Sequence, residues 1–215
     1  MRFRIDLKIF IIIILFYLTK QIQIYALIMI FALIHELAHL LAGILIKMKP
    51  EKLEIMPFGF SISFKINVYE YNKKIKNGNM LSLKKIFVAL AGPLINLLLM
   101  FIIYLNINEN MKLQMIYANL ILAVFNLLPV YPLDGGRILK ELLHIKFGIQ
   151  KSYNYTNEIA IITTIVLTAI SSVSIYYFKN IAIFLIIMYL WLIVLLEDKK
   201  CKRKMEIYRL TQTKL

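Results

Sequence analysis

Residues 24–46 read IYALIMIFALIHELAHLLAGILI, and this stretch decides the fold. It is long enough and apolar enough to cross a bilayer, which takes roughly 20 such residues. In its C-terminal half it carries His35, Glu36 and His39, in the pattern H-E-x-x-H. On a helix, side chains four apart share a face, so both imidazoles can reach one Zn²⁺ ion. Glu36 lies at the edge of that face, placed to take a proton from a water whose pKa zinc lowers to roughly 7. In a soluble chain the pattern would be only suggestive. In a membrane span a carboxylate costs about 2.5–3.5 kcal/mol on insertion scales, so a cluster of this kind needs partners that stabilise it.

The rest of the chain has the same character. Of its 215 residues 60% are hydrophobic, and the mean hydropathy is +0.73. A soluble domain of this length would lack the polar surface to cover itself. The expected class is an all-α polytopic membrane protein in one bundle. Six apolar runs are expected to span, at about 5–19, 24–46, 86–105, 113–143 (broken), 159–178 and 181–196. A basic tail follows at 197–215. The first run is retained in this reading, because no small-residue cleavage site follows it.

A net charge of +14 would point to nucleic acid in a soluble protein, but its distribution argues for membrane topology. With the N-terminus inside, 23 of the 26 Lys and Arg residues fall in cytoplasmic segments, leaving only Lys20, Lys112 and Lys179 outside. That bias supports six spans with both termini cytoplasmic. The basic tail then faces anionic lipid, and no nucleic-acid partner is expected. Cys201 is the single cysteine, so no intrachain disulfide can form.

Between the second and third runs, Phe58, Phe60, Ile62, Phe64, Ile66 and Val68 alternate with smaller or polar residues. This period of two predicts a short amphipathic strand or hairpin over 58–68 in the cytoplasmic-side loop. Its open edge could pair with an extended substrate.

Two histidines do not complete a hydrolytic zinc site, which normally has three protein ligands. His144, beside Lys140, Glu141 and Lys146, reads as an interfacial residue. Asp134 is the better third ligand. It lies in Asn126-Leu-Leu-Pro-Val-Tyr-Pro-Leu-Asp134-Gly-Gly-Arg137, where Pro129 and Pro132 break the helix and Gly135 and Gly136 are expected to let the backbone turn. Broken backbone at membrane depth is tolerated where it is packed in protein or lines a wet cavity, and a hydrolase needs such a cavity.

These paired motifs resemble those of the site-2 proteases, a family of intramembrane zinc metalloproteases. Ala91-Gly92-Pro93-Leu94-Ile95-Asn96 is similar to a further family element. The resemblance implies His35, His39 and Asp134 as ligands of one Zn²⁺ per chain, Glu36 as general base, and Asn126 near the scissile carbonyl or the substrate strand. Only about eight residues around Asn106–Lys112 separate the third and fourth runs, which leaves no room for a PDZ domain. That resembles the stage IV sporulation protein FB branch, which processes pro-sigma-K. The implied partner is a membrane-associated protein substrate, with membrane-protein regulators. The 19 residues after Leu196 are too few for a nucleotide-sensing domain, so ATP is not expected as a regulator. The competing readings are a cation-transporting membrane protein, for which Thr163, Thr164 and Thr168 are the main polar residues of the last two runs, and an inactive protease relative.

Overall fold

The computed structural model is mostly helical, as the sequence leads one to expect, and describes residues 2–5, 17, 22–56, 59–65, 75–106, 111–178 and 181–212. The chain divides into two compact units, Met1–Asn126 and Leu127–Leu215.

The first unit is built on α1 (Ile22–Leu45), α2 (Ile75–Asn106) and α3 (Lys112–Asn126), with strands β1 (Arg2–Ile5), β2 (Lys49–Met56) and β3 (Gly59–Lys65). Helix α1 buries Tyr25, Ala32, His35, His39, Ala42 and Gly43, a stripe at three-, four- and seven-residue spacing. It exposes Leu33, Leu37, Leu41 and Ile44 on the opposite side. An apolar outer face of this kind suits lipid. Phe31, Ile103 and Ala118 form the core where the three helices meet, flanked by Leu27, Leu99 and Met115.

Strand β3 falls within the stretch 58–68 expected to be extended, and it belongs to a three-stranded sheet. β2 pairs antiparallel with β3, matching Leu53 with Ile62 and Ile55 with Phe60. β1 adds in parallel to the other side of β2, with Phe3 opposite Leu53. Ile5, expected to open the first span, is therefore a strand residue. The rest of that run lies outside the described residues apart from Tyr17, as do Phe58, Ile66 and Val68. Pro50 falls at a register irregularity between Pro50 and Lys52, where the ladder needs no donor from it. Phe64 anchors the sheet to α1, because a Cβ at Gly43 would lie 2.2 Å from its ring.

One expected boundary of this unit moves. Helix α2 starts at Ile75 rather than 86, so the last eleven residues of the expected 47–85 loop are helical. Lys76, Lys84 and Lys85 ride on this polar extension of the apolar run.

The second unit consists of a turn followed by α4 (Asp134–Phe178) and α5 (Ile181–Gln212). The break expected over 129–136 is confined to 127–133, and Gly135 and Gly136 already lie in α4. Their role is closeness rather than a sharp turn. A Cβ on Gly135 would lie 2.1 Å from the Leu127 carbonyl oxygen, and one on Gly136 2.3 Å from the Tyr131 nitrogen. Helix α4 is itself interrupted at Gly148, where φ is 80°, a conformation open to glycine and costly for other residues. Val130, Ala160 and Val194 form the core of this unit. Helix α5 runs on through the expected tail to Gln212.

Three helical stretches among the described residues are long and apolar enough to cross a membrane: Ile22–Leu45, Asn79–Asn106 and Asp134–Val173. The hydroxyls of Thr163, Thr164 and Thr168 turn back onto the carbonyls of Ile159, Ala160 and Thr164 at 2.7–2.8 Å. Satisfied within their own helix, they do not mark out a polar path for an ion.

Candidate metal centre

The geometry of the first unit brings His35 and His39 together. Both are almost fully buried, at 4% and 3% exposure. Their Nε2 atoms face each other at 3.1 Å, and the rings stand nearly perpendicular. Each Nδ1 has a partner on α2. His39 Nδ1 donates to the Val88 carbonyl at 2.7 Å. His35 Nδ1 meets the side-chain amide of Asn96 at 3.1 Å.

This arrangement fits a metal ion. With its proton committed at Nδ1, neutral His39 presents only a lone pair at Nε2. Two imidazole nitrogens bound to one tetrahedral zinc at about 2.0–2.1 Å lie roughly 3.3 Å apart, close to the separation found here. Helix α2 leaves room beside them, because a Cβ at Gly92 would sit 2.5 Å from both Nε2 atoms. The absent side chain of Gly92 is thus the cradle wall. Pro93 follows inside the same helix and cannot donate to the carbonyl four residues back, which loosens the ladder beside Val88.

Glu36 is half-buried on α1, one residue past His35. Asn126, the last residue of α3, gives one Nδ2 hydrogen to the Leu122 carbonyl at 3.0 Å. In the second unit, Asp134 opens α4, is 5% exposed, and has the Arg137 guanidinium 3.7 Å from Oδ1. A carboxylate in the first turn is favoured by the helix dipole. His144 lies beside Glu141 at 3.7 Å, one turn away on α4.

Sequence reasoning missed the partners of the two rings. The Val88 contact is made by a backbone carbonyl, which no residue type announces; only Pro93 nearby hints at loosened backbone. Asn96 belonged to a recognised element, but its sequence position alone fits close helix packing equally well.

Apolar helices around a buried histidine pair fit an integral membrane protein with a candidate metal centre. Comparison with known proteins places that class. Residues 106–171 match Peptidase family M50. The chain is 31% identical over 127 residues to zinc metalloprotease MJ0392 of Methanocaldococcus jannaschii, a match covering 55% of this chain and 34% of the relative. It is 26% identical over 141 residues to stage IV sporulation protein FB of Bacillus subtilis, covering 63% and 46%. The matches therefore span about a third and under half of these relatives. The solved site-2 protease from Methanocaldococcus jannaschii shares the fold, with a TM-score of 0.65 at 21% identity over 90% of this chain and 88% of that one. The chain thus resembles Peptidase family M50 over residues 106–171 and has the fold of that solved protease.

Proposed function

We propose that this chain is an intramembrane zinc metalloprotease that hydrolyses a membrane-associated protein near the cytoplasmic face. The observation that carries the reading is the histidine pair, with both Nε2 atoms convergent and both Nδ1 atoms occupied. Asp134 is the proposed third ligand, supported by its burial and by the two motifs it forms with His35-Glu-x-x-His39. Bound there, zinc would supply a Lewis acid and an activated water at neutral pH.

The chain's own groups do the rest. Glu36 takes the proton of the attacking water and returns it to the leaving amine. Asn126 keeps one amide hydrogen beyond its bond to Leu122, available to the scissile carbonyl or the substrate strand. The sheet order β1-β2-β3 leaves one side of β3 unpaired among the described residues, and Phe64 ties β3 to α1 four residues past His39. A substrate unwound into an extended strand would add to that edge.

The reading includes six spans with both termini cytoplasmic, supported by the 23 basic residues on that side. Similarity to stage IV sporulation protein FB makes a membrane-tethered sigma-factor precursor the first substrate to try. The test is co-expression with such precursors, with and without Glu36→Gln. The variant should keep its zinc and lose at least about 10²-fold in cleavage rate, the usual contribution of a general base. Cleavage at the wild-type rate by Glu36→Gln would refute the mechanism.

A further inference from the structure

Asn96 is fully buried in an apolar helix, where an amide needs partners for both ends. Among the described residues its one bond is to His35 Nδ1 at 3.1 Å, with Nδ2 facing the ring and Oδ1 without a partner. The two orientations of a side-chain amide occupy the same space, so the hydrogen-bond network decides between them. A ring that offers its Nε2 lone pair toward His39 must carry its proton on Nδ1. An N–H facing an amide NH₂ is repulsive, whereas facing Oδ1 it makes a bond. The NH₂ then takes the position Oδ1 had, so it is the proton on the ring that decides the orientation. His39 obtains the same service from the Val88 carbonyl.

We propose that Asn96 is a positioning residue for the metal centre: its Oδ1 accepts the Nδ1 proton of His35, fixing the tautomer and turning Nε2 toward the ion. The two rings are thus held by two acceptors on one helix, a backbone carbonyl for His39 and a side-chain carbonyl for His35. They lie eight residues apart on α2, on either side of Gly92, so one face of α2 both orients the ligands and leaves them room. This assignment gives Asn96 of the Ala91–Asn96 segment a chemical role in addition to packing. It rests on the zinc reading above, and outer partners of ligating histidines typically contribute 10–100-fold in metal affinity.

The test uses the full chain purified in detergent, with zinc affinity measured by chelator competition and the visible spectrum of the Co²⁺-substituted protein recorded. Asn96→Asp keeps an acceptor and removes the donor. It should bind zinc within about threefold of wild type with a similar cobalt spectrum. Asn96→Leu removes both and should lose about 10–100-fold in zinc affinity while melting near the wild-type temperature. Two results would overturn the proposal: Asn96→Leu binding zinc as wild type does, or a folded Asn96→Asp that has lost it. The second would show that the residue works as a donor. If the wild-type chain itself bound no zinc, or bound it equally well with His35→Ala, the metal-centre reading would fall, and this proposal with it.

Discussion

At the scale of single residues, the histidine pair is a case of close fit imposed from outside its own helix. The motif on α1 supplies the proposed ligands, and Val88, Gly92 and Asn96 of α2 lie against their rings. Gly92→Ala tests this most directly. Alanine is favoured over glycine in a helix by about 1 kcal/mol, so the helix alone would gain. The added methyl would lie 2.5 Å from both Nε2 atoms, inside van der Waals contact. It must push the rings apart or fill the space beside them. The expected outcome is a folded protein with unchanged helicity by circular dichroism and less than about a tenth of the wild-type zinc affinity, a loss similar in size to that of an outer ligand partner. Full zinc loading of Gly92→Ala would mean that the cradle is elsewhere. Gly43→Ala, whose added atom meets only the ring of Phe64, should spare the metal.

At the scale of elements, what could be read from the sequence depended on whether an element declares itself locally. The span carrying His35, the alternation of Phe60, Ile62 and Phe64, and the break before Asp134 were all legible, because each is a periodicity or a proline signal within one stretch. β1 was not legible, since four residues gain strand structure only by pairing with Lys52–Ile55, some fifty residues away. The start of α2 was hidden because Asn77, Gly78 and Asn79 are weak helix formers. Gly135 and Gly136 were read correctly as necessary and wrongly as a turn, because sequence cannot separate conformational freedom from close approach. A further link, between α4 and α5, has no local signature at all. Asn157 donates to Asp198 Oδ1 at 2.7 Å, and Lys202 reaches Oδ2 at 2.6 Å. The Lys202 bond, chief among the causes, holds the Asp198 carboxyl below its ordinary range; burial opposes it, and the Asn157 bond adds a lesser lowering. A lowered folded pKa stabilises fully above the unfolded value of about 3.9 and ceases to do so as pH falls through the folded value. Melting temperatures in detergent should therefore show wild type above Asp198→Asn at pH 6, with the gap closing as pH drops below about 4. A gap that stays constant down to pH 3 would show that the carboxylate charge does not stabilise this unit.

At the scale of the whole molecule, the charge distribution carries an argument that no single helix can. Outward faces such as Leu33, Leu37 and Leu41 on α1 and Ile162, Val166 and Ile170 on α4 are apolar and exposed, which suits lipid but leaves its two sides equivalent. Only the Lys and Arg bias distinguishes them. If 23 of 26 basic residues are inside, Lys112 at the start of α3 is outside and Cys201 is inside. The single native cysteine makes this directly measurable. In intact cells, a membrane-impermeant maleimide should label Lys112→Cys made in a Cys201→Ser background. The wild-type chain should be labelled at Cys201 only after the membrane is opened. Because odd and even numbers of spans put the two positions on opposite or equal sides differently, the pair also constrains the count between them: residues 112 and 201 on opposite sides require an odd number of crossings, as the broken fourth run with the fifth and sixth provides. Labelling of both sites in intact cells would require an even number. It would also remove the positive-inside argument that puts the metal centre nearer the cytoplasm, and with it the expectation that cleavage releases its product there.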